Sequence, residues 1–269
     1  MTKAVILARG LGTRMRKTDD DVAMTAAEAA AAACGVKALM PIDRPFLDYI
    51  LHALAEAGYR HICLVIGPEH DAVRDYYGNT LHYSRLQVDF AIQKEPLGTA
   101  DAVRAAEEFA AGDDFLVINS DNYYPIEALA ELRKIEGNGL AVFEREAMFA
   151  GSNISADRLN KFAVVKIDDR GFMQRIIEKP DEQTLNSLPE PVCVSMNCWR
   201  FTTDIFQACR SISPSPRGEY EIPDAVQYVI DRLGRQFRAL TFQKPVLDMS
   251  CRADVPTIKK KLAGTEVNL

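Results

Sequence analysis

The chain has 269 residues, 48% of them apolar and 26% charged, with a net charge of −6. That length buries a real core in one large α/β domain or two small ones, and the composition excludes a disordered chain. The acidic balance offers no basic stripe for a polyanion, so nucleic acid is not an expected partner; a small phosphate-bearing ligand is compatible with local basic residues.

The first apolar run, 4–8, is too short for a signal-peptide core or a membrane span, and no later run reaches spanning length. The six cysteines form no CxxC pair and are read as reduced thiols of a cytoplasmic protein, not as a zinc site.

The elements alternate in the first half. Residues 3–8 read as a strand. Residues 46–57 place Phe46, Leu47, Ile50, Leu51 and Leu54 at helical spacing and stop at Gly58. A strand at 61–66, a helix at 69–77, a strand at 86–92 and a helix at 98–111 follow, then a buried strand at 115–119 and a helix to about 136. Such alternation predicts right-handed βαβ crossovers and a mostly parallel sheet. The second half reads as strands at 140–144, 162–168, 172–178 and 193–201, then helices at 203–211, 220–233 and 253–262. The expectation is a single domain, 1–269, with a nucleotide-binding half to about 145 and a more antiparallel, acceptor-binding half from about 146.

One segment looks inserted. Residues 19–35 open with aspartates, run through alanines and end at Gly35, which predicts a helix either near the site mouth or on the surface.

Chemistry concentrates at strand ends. Arg9-Gly10-Leu11-Gly12-Thr13-Arg14 follows the first strand, where ligands of parallel α/β sheets bind. Glycines let backbone N–H groups approach phosphate oxygens, and arginine adds a fork of donors. A dinucleotide fingerprint would need a third glycine where Met15 stands, and an ATP loop would need Gly-Lys-Ser/Thr, which is absent. Another nucleotide site and a plain tight turn both stay open on this loop alone. Lys37 precedes a short apolar stretch stopped by Pro41. Gln93 ends a strand before a Pro-Leu-Gly turn and can offer a donor and an acceptor to a base edge. Asp121 lies just past a buried strand, where it either tightens a turn or places a hard oxygen ligand beside the phosphate loop.

Together these pieces resemble the sugar nucleotidyltransferases of the sugar-1-phosphate thymidylyl/uridylyl type. The pattern LAGGxGTR, a lysine before xLxP, QxxPxGxAxA and GDN stands here as LARGLGTR, VKALMPI, QKEPLGTADA and NSDN. Further on, RIIEKP is similar to the strand ending in EKP, SMNCWRF stands at NxGxYxF, SPRGEYEIPDAV at RGExEITD, and LDMS at WxDxGT.

The resemblance implies a Rossmann-like three-layer α/β/α fold with a mostly parallel mixed central sheet, like that of the nucleotide-diphospho-sugar transferases. It implies attack of a sugar 1-phosphate on the α-phosphorus of a nucleoside triphosphate, a reaction of EC 2.7.7 type, with Mg2+ as cofactor. Arg14, Lys37 and Asp121 would be catalytic; Ala8, Gly10, Gly12, Thr13, Gln93 and Gly98 would hold the nucleotide. Glu178 and Lys179 would hold the sugar and its phosphate, with Asn197 and Glu219 beside them, and Asp121 and Asp248 would bind the metal. A homo-oligomer is compatible with the resemblance; a membrane partner is not expected.

Four departures stand out. Arg9 replaces the first glycine, either adding a phosphate contact or pointing outward. The insertion lengthens the step from Arg14 to Lys37. Asn197 and Trp199 occupy small and tyrosine positions. Val246 stands where tryptophan precedes the second acid. The four histidines, His52, His61, His70 and His82, fall outside these segments and are assigned surface or structural roles. Two rival functions stay in view. One is a cytidylyltransferase for phosphocholine, with Tyr123, Tyr124 and Trp199 as an aromatic cage. The other is a non-catalytic nucleotide-sugar sensor.

Overall fold

The computed structural model describes residues 1–10, 12–17 and 22–269. Strand β1 (Lys3–Leu7) runs into a loop and a single helical turn, α1 (Thr13–Arg16). Helix α2 (Ala26–Cys34), a 3₁₀ turn (Lys37–Leu39) and α3 (Phe46–Glu56) precede β2 (His61–Ile66). Then come α4 (Asp71–Asp75), β3 (Gln87–Ile92), α5 (Thr99–Ala105), α6 (Glu107–Ala110) and β4 (Phe115–Asn119). A two-residue strand β5 (Asn122–Tyr123), α7 (Ile126–Lys134), β6 (Asn138–Glu144), α8 (Arg145–Gly151) and α9 (Ala156–Leu159) follow. The chain closes through β7 (Val164–Ile167), β8 (Met173–Ile177), α10 (Glu182–Ser187), β9 (Cys193–Phe201), α11 (Asp204–Ser211), α12 (Ile222–Leu233), β10 (Phe237–Phe242), β11 (Leu247–Asp248) and α13 (Asp254–Leu262).

These strands build one sheet in the order β10-β6-β9-β4-β1-β2-β3, with β7 and β8 branching from β9. β1 pairs parallel with both β2 and β4, and β2 with β3. Alternation along each strand feeds two cores: Ala4 and Ile6 of β1 pack on one face, Val5 on the other. The fold is α/β and Rossmann-like, with helices on both faces of a mixed, parallel-dominated sheet. The chain runs outward from β1 to β3 and then returns to β4, on the other side of β1. That reversal opens a crevice at the carboxyl ends of β1 and β4, the usual ligand position in such sheets.

Several sequence readings need correction. The helix expected over 98–111 breaks at Ala106, outside the helical region at φ −91°, into α5 and α6. The helix expected over 69–77 is a short α turn that widens into a π turn at Tyr76–Thr80. Helices α8 to α10 and strands β5, β10 and β11 were not expected. β10 pairs parallel with β6 at the sheet edge, so the second half is mixed. The aspartates expected to start the inserted helix, 19–21, lie outside the described residues. The helix itself begins at Ala26, where Thr25 and Glu28 cap each other reciprocally.

The inserted helix is tied down. Lys259 of α13 pairs with its buried Glu28 at 2.7 Å. Its end cap, Gly35, abuts Gly12 of the glycine loop: a Cβ on Gly12 would lie 2.2 Å from the Gly35 carbonyl oxygen, and Gly12 has φ +60°. Glycine is therefore required there on two counts.

Candidate functional site

A cavity of about 360 Å³ lies at the crevice. Ala8, Gly10, Gly12 and Thr13 line it from β1 and its loop, Lys37 from the 3₁₀ turn, Gln93 and Gly98 from the β3–α5 connection, and Asp121 from the end of β4. Glu219 lines this same cavity rather than a separate one. A Cβ built on Gly10 meets nothing within 4 Å, so this position faces open space large enough for a ligand atom.

Gly98 is constrained by the second half of the chain. At φ +108°, an added Cβ would come within 2.4 Å of the Tyr220 carbonyl oxygen. The close approach exists because Tyr220 N–H donates to Leu97 O at 2.7 Å and Ala100 N–H donates to Tyr220 O at 2.9 Å. The segment before α12 is thereby stitched to the start of α5.

Gln93 is buried and already oriented. Its side-chain amide donates to Gly98 O and to Asp101 Oδ2, both at 3.0 Å. Both partners are acceptors, so they take both amide hydrogens and leave Oε1 as the atom available to a ligand.

The two candidate metal acids meet through the short β5–β11 pair. Asp248 stands opposite Asn122, and Met249 N–H donates to Asp121 O at 2.8 Å. Each acid has a fixed cation beside it. Lys37 Nζ donates to Asp121 Oδ2 at 2.8 Å, and Arg158 Nη2 donates to Asp248 Oδ2 at 2.8 Å. Burial, then the neighbouring charge of Asp121, pushes the Asp248 carboxyl up to about 6, against the pull of Arg158 and the Ser250 hydroxyl. Two hard carboxylates suit magnesium, which takes one or two protein carboxylates and completes its shell with water and substrate phosphate. Among the described residues no group of three or more His, Cys, Asp or Glu side chains gathers.

The support for Asp248 escaped sequence reading. Asn153 Nδ2 donates to Asp248 O at 2.8 Å and its Oδ1 accepts from Asp248 N–H at 2.9 Å. Arg158 bridges Asp248 to Asp254, and Asp254 accepts the Ser250 and Cys251 N–H groups at the start of α13. Asn153 and Arg158 are far from Asp248 in sequence and carry no local signal. The Ser250 hydroxyl, two residues on, also donates to Asp248, at 2.8 Å to Oδ1.

The remaining expected residues, Arg14, Glu178, Lys179, Asn197 and Asp248, are not among those that line the cavity. Arg14 is exposed on α1. Glu178 and Lys179 are exposed at the end of β8, and Lys179 has φ +45°, rare for a side chain of its kind. Asn197, at φ +55°, sits where the β6–β9 register shifts, since Ala141 faces Cys198 while Val142 faces Ser195. Asparagine tolerates this conformation better than most residues, and a bulge re-aims side chains beside a site. Arg9, by contrast, lines the cavity, as a paired cation held by Glu69 at 3.1 Å. The aromatic cage does not form. Tyr124 is buried in one core, where its hydroxyl donates to Met196 O at 2.6 Å, and Trp199 is buried in the core on the opposite face.

Comparison with known proteins gives a family and a fold. The sequence profile of the nucleotidyl transferase family matches residues 3–244. UTP–glucose-1-phosphate uridylyltransferase AglF of Haloferax volcanii is 27% identical over 261 residues, covering 97% of this chain and 96% of that protein. Glucose-1-phosphate thymidylyltransferase of Streptomyces griseus is 30% identical over 241 residues, covering 88% of this chain and 59% of that protein. The chain thus spans nearly all of the first relative and about three fifths of the second. The fold superposes on a UDP-glucose pyrophosphorylase solved with UDP-glucose at a TM-score of 0.75, with 18% identity and 99% and 100% coverage of the two chains.

Proposed function

The chain belongs to the nucleotidyl transferase family, and from that premise we propose that it is a magnesium-dependent sugar-1-phosphate nucleotidyltransferase. An oxygen of the sugar phosphate attacks the α-phosphorus of a nucleoside triphosphate. The new P–O bond forms as the α–β bridge breaks, and pyrophosphate leaves with the bridging electrons. The observation that carries this reading is Asp121 in the wall of a cavity that also holds the glycine loop, Lys37 and Gln93, with the buried Asp248 next to it through the β5–β11 seam.

The protein's task is to hold two repelling anions in line. The backbone of Gly10 and Gly12 and the side chain of Thr13 cradle the phosphates, next to the Ala8 end of β1. Lys37, now on Asp121, lies within the cavity and can turn to a phosphate oxygen. Arg14 adds a cation from α1. Bound magnesium, held by Asp121 and Asp248, would neutralise phosphate charge. Lys179 meets the acceptor phosphate, and Glu178, Asn197 and Glu219 meet its hydroxyls. The free Oε1 of Gln93 accepts from a ring N–H, which favours the lactam bases uracil, thymine and guanine over cytosine and adenine. The two halves act as one unit on one sheet. No described helix is long and apolar enough to cross a membrane. The cysteines are all free, four of them buried, in keeping with a reducing, cytoplasmic setting.

The test is pyrophosphate release from five triphosphates, each against a panel of sugar 1-phosphates and phosphocholine, with and without magnesium. Release with a sugar 1-phosphate and one lactam-base triphosphate is expected. Release only with phosphocholine and CTP, or nucleotide-sugar binding without any turnover, would overturn the reading.

A further inference from the structure

The glycine loop carries a charge that the proposed reaction does not use. The Arg9 side chain is 8% exposed, deeply buried for a guanidinium. It spends its donors in two directions. Nε and Nη2 donate to the two carboxylate oxygens of Glu69 at 3.1 and 3.2 Å, a fork-to-fork pair. Nη1 donates to the backbone carbonyl of Gln93. Glu69 lies just past β2, and Gln93 just past β3. One side chain therefore joins the carboxyl ends of three adjacent parallel strands.

The consequence falls on Gln93. Its N–H donates to Ile66 O at 2.9 Å, its carbonyl accepts from Arg9, and its side-chain amide is held by Gly98 O and Asp101 Oδ2. Asp101 is held in turn by Arg104 at 2.7 Å. With both ends of the residue fixed, Oε1 is presented at one place in the cavity wall. An acceptor atom fixed in this way discriminates between bases better than one free to rotate and offer its amide instead, because the mismatched base then faces an unpaired buried group.

We propose that Arg9 is a positioning residue for base selection: it clamps the Gln93 backbone to the end of β2, so that the side-chain oxygen, turned outward by the Gly98 and Asp101 contacts, meets the base at one fixed place. This rests on the reading of Gln93 as the base reader. A phosphate contact by Arg9, through the N–H groups that Glu69 and Gln93 leave free, would instead act on all triphosphates alike.

The experiment measures calorimetric binding of UTP, dTTP, GTP, CTP and ATP, with magnesium, to the intact chain and to Arg9→Ala, Arg9→Lys, Glu69→Gln and Gln93→Ala. Binding needs no acceptor and no turnover, so it does not depend on the reaction class. The unaltered chain should prefer one of UTP, dTTP or GTP over both CTP and ATP. Arg9→Ala and Gln93→Ala should each reduce that preference by about tenfold, and the double variant should lose no more than Gln93→Ala alone. Glu69→Gln should lose less, and Arg9→Lys, which cannot make the fork, should not restore the preference. If Arg9→Ala does not fold, Arg9→Lys and Glu69→Gln decide by the same ratio. An unchanged preference in the folded Arg9 or Glu69 variants, or equal weakening for all five triphosphates, overturns the role of Arg9. An unchanged preference in Gln93→Ala removes Gln93 as the base reader, a separate failure.

Discussion

The β1–β3 side of the crevice and the β8–β9 side, which we propose as its nucleotide end and its acceptor end, are built differently. Around β1, β2 and β3 several groups at the cavity are tied: Gln93 has its amide and its backbone held, Arg9 joins three strand ends, and Gly12 and Gly98 sit against backbone they could not approach with a Cβ. Past the end of β8, Glu178 and Lys179 are exposed, and Lys179 and, in the middle of β9, Asn197 hold positive φ. The parallel half spends its packing on one fixed geometry. On the other side, two residues of the proposed acceptor site hold rare backbone angles, Lys179 at the surface and Asn197 at the β9 register shift, and such conformations cluster at functional sites. Base choice should thus be rigid, and acceptor choice more open to change by substitution.

The junction between these ends is the acid pair, and its loss should have the largest effect. Asp121→Asn should lower kcat on the order of 10²–10³-fold while leaving the melting temperature close to that of the unaltered chain. Near-normal turnover at saturating magnesium would remove Asp121 from the metal role and leave the crevice with no catalytic centre between its two ends.

A backbone substitution tests the rigidity of the nucleotide end. Gly98→Ala adds a Cβ 2.4 Å from Tyr220 O at φ +108°, whereas Gly112→Ala, at φ +89°, meets nothing within 4 Å. Both carry conformational strain, but only the first also forces the α5 and α12 starts apart. Urea unfolding should show a loss of about 1 kcal/mol for Gly112→Ala and about 2–3 kcal/mol for Gly98→Ala. Equal losses would mean that the seam between the halves yields easily, and the contrast between the ends would weaken.

What could be read in the chain follows the same division. The β1 loop, Lys37, Gln93, Gly98 and Asp121 each follow an apolar run or a turn whose local chemistry marks them, and the structure gathers them at one cavity. The inserted helix was legible as helix, yet its start was misplaced, because the aspartates drew attention from the Thr25–Glu28 capping box. The support of Asp248 was not legible. Arg158 and Asn153 reach it across about 90 residues, from a four-residue helix and the connection before it, neither with an apolar periodicity to declare it. Strands β5 and β11 are two residues each, too short for any alternation. The role of Arg9 depends on Glu69 and Gln93, which only the sheet order makes neighbours.

On the acceptor side, Lys179→Ala should raise the KM for the sugar phosphate by about tenfold and leave that for the triphosphate within about twofold. Lys179→Gly should do the same without lowering stability, since glycine accepts φ +45° at no steric cost. Equal effects on both substrates would place Lys179 on the triphosphate and erase the functional boundary between the two ends.

The smallest effect concerns protonation at that exposed end. Burial, then the neighbouring Glu221 carboxylate, raises the Glu178 carboxyl above its ordinary 4.5, with Asp224 adding to the rise and Arg217 and Lys179 opposing it. A raised folded value means that folding favours the protonated acid. Stability from this group is fully present below 4.5 and is lost as pH climbs through the folded value. Glu178→Gln is neutral throughout and cannot lose it. Across a series of melting temperatures from pH 4 to pH 7, the unaltered chain should therefore fall slightly relative to Glu178→Gln, and solvent screening at an exposed residue keeps the gap small. A gap that opens the other way would mean that Arg217 and Lys179 outweigh the acids around Glu178. The acceptor end would then be a cationic pocket, and Glu178 would owe its charge to its neighbours instead of resisting it.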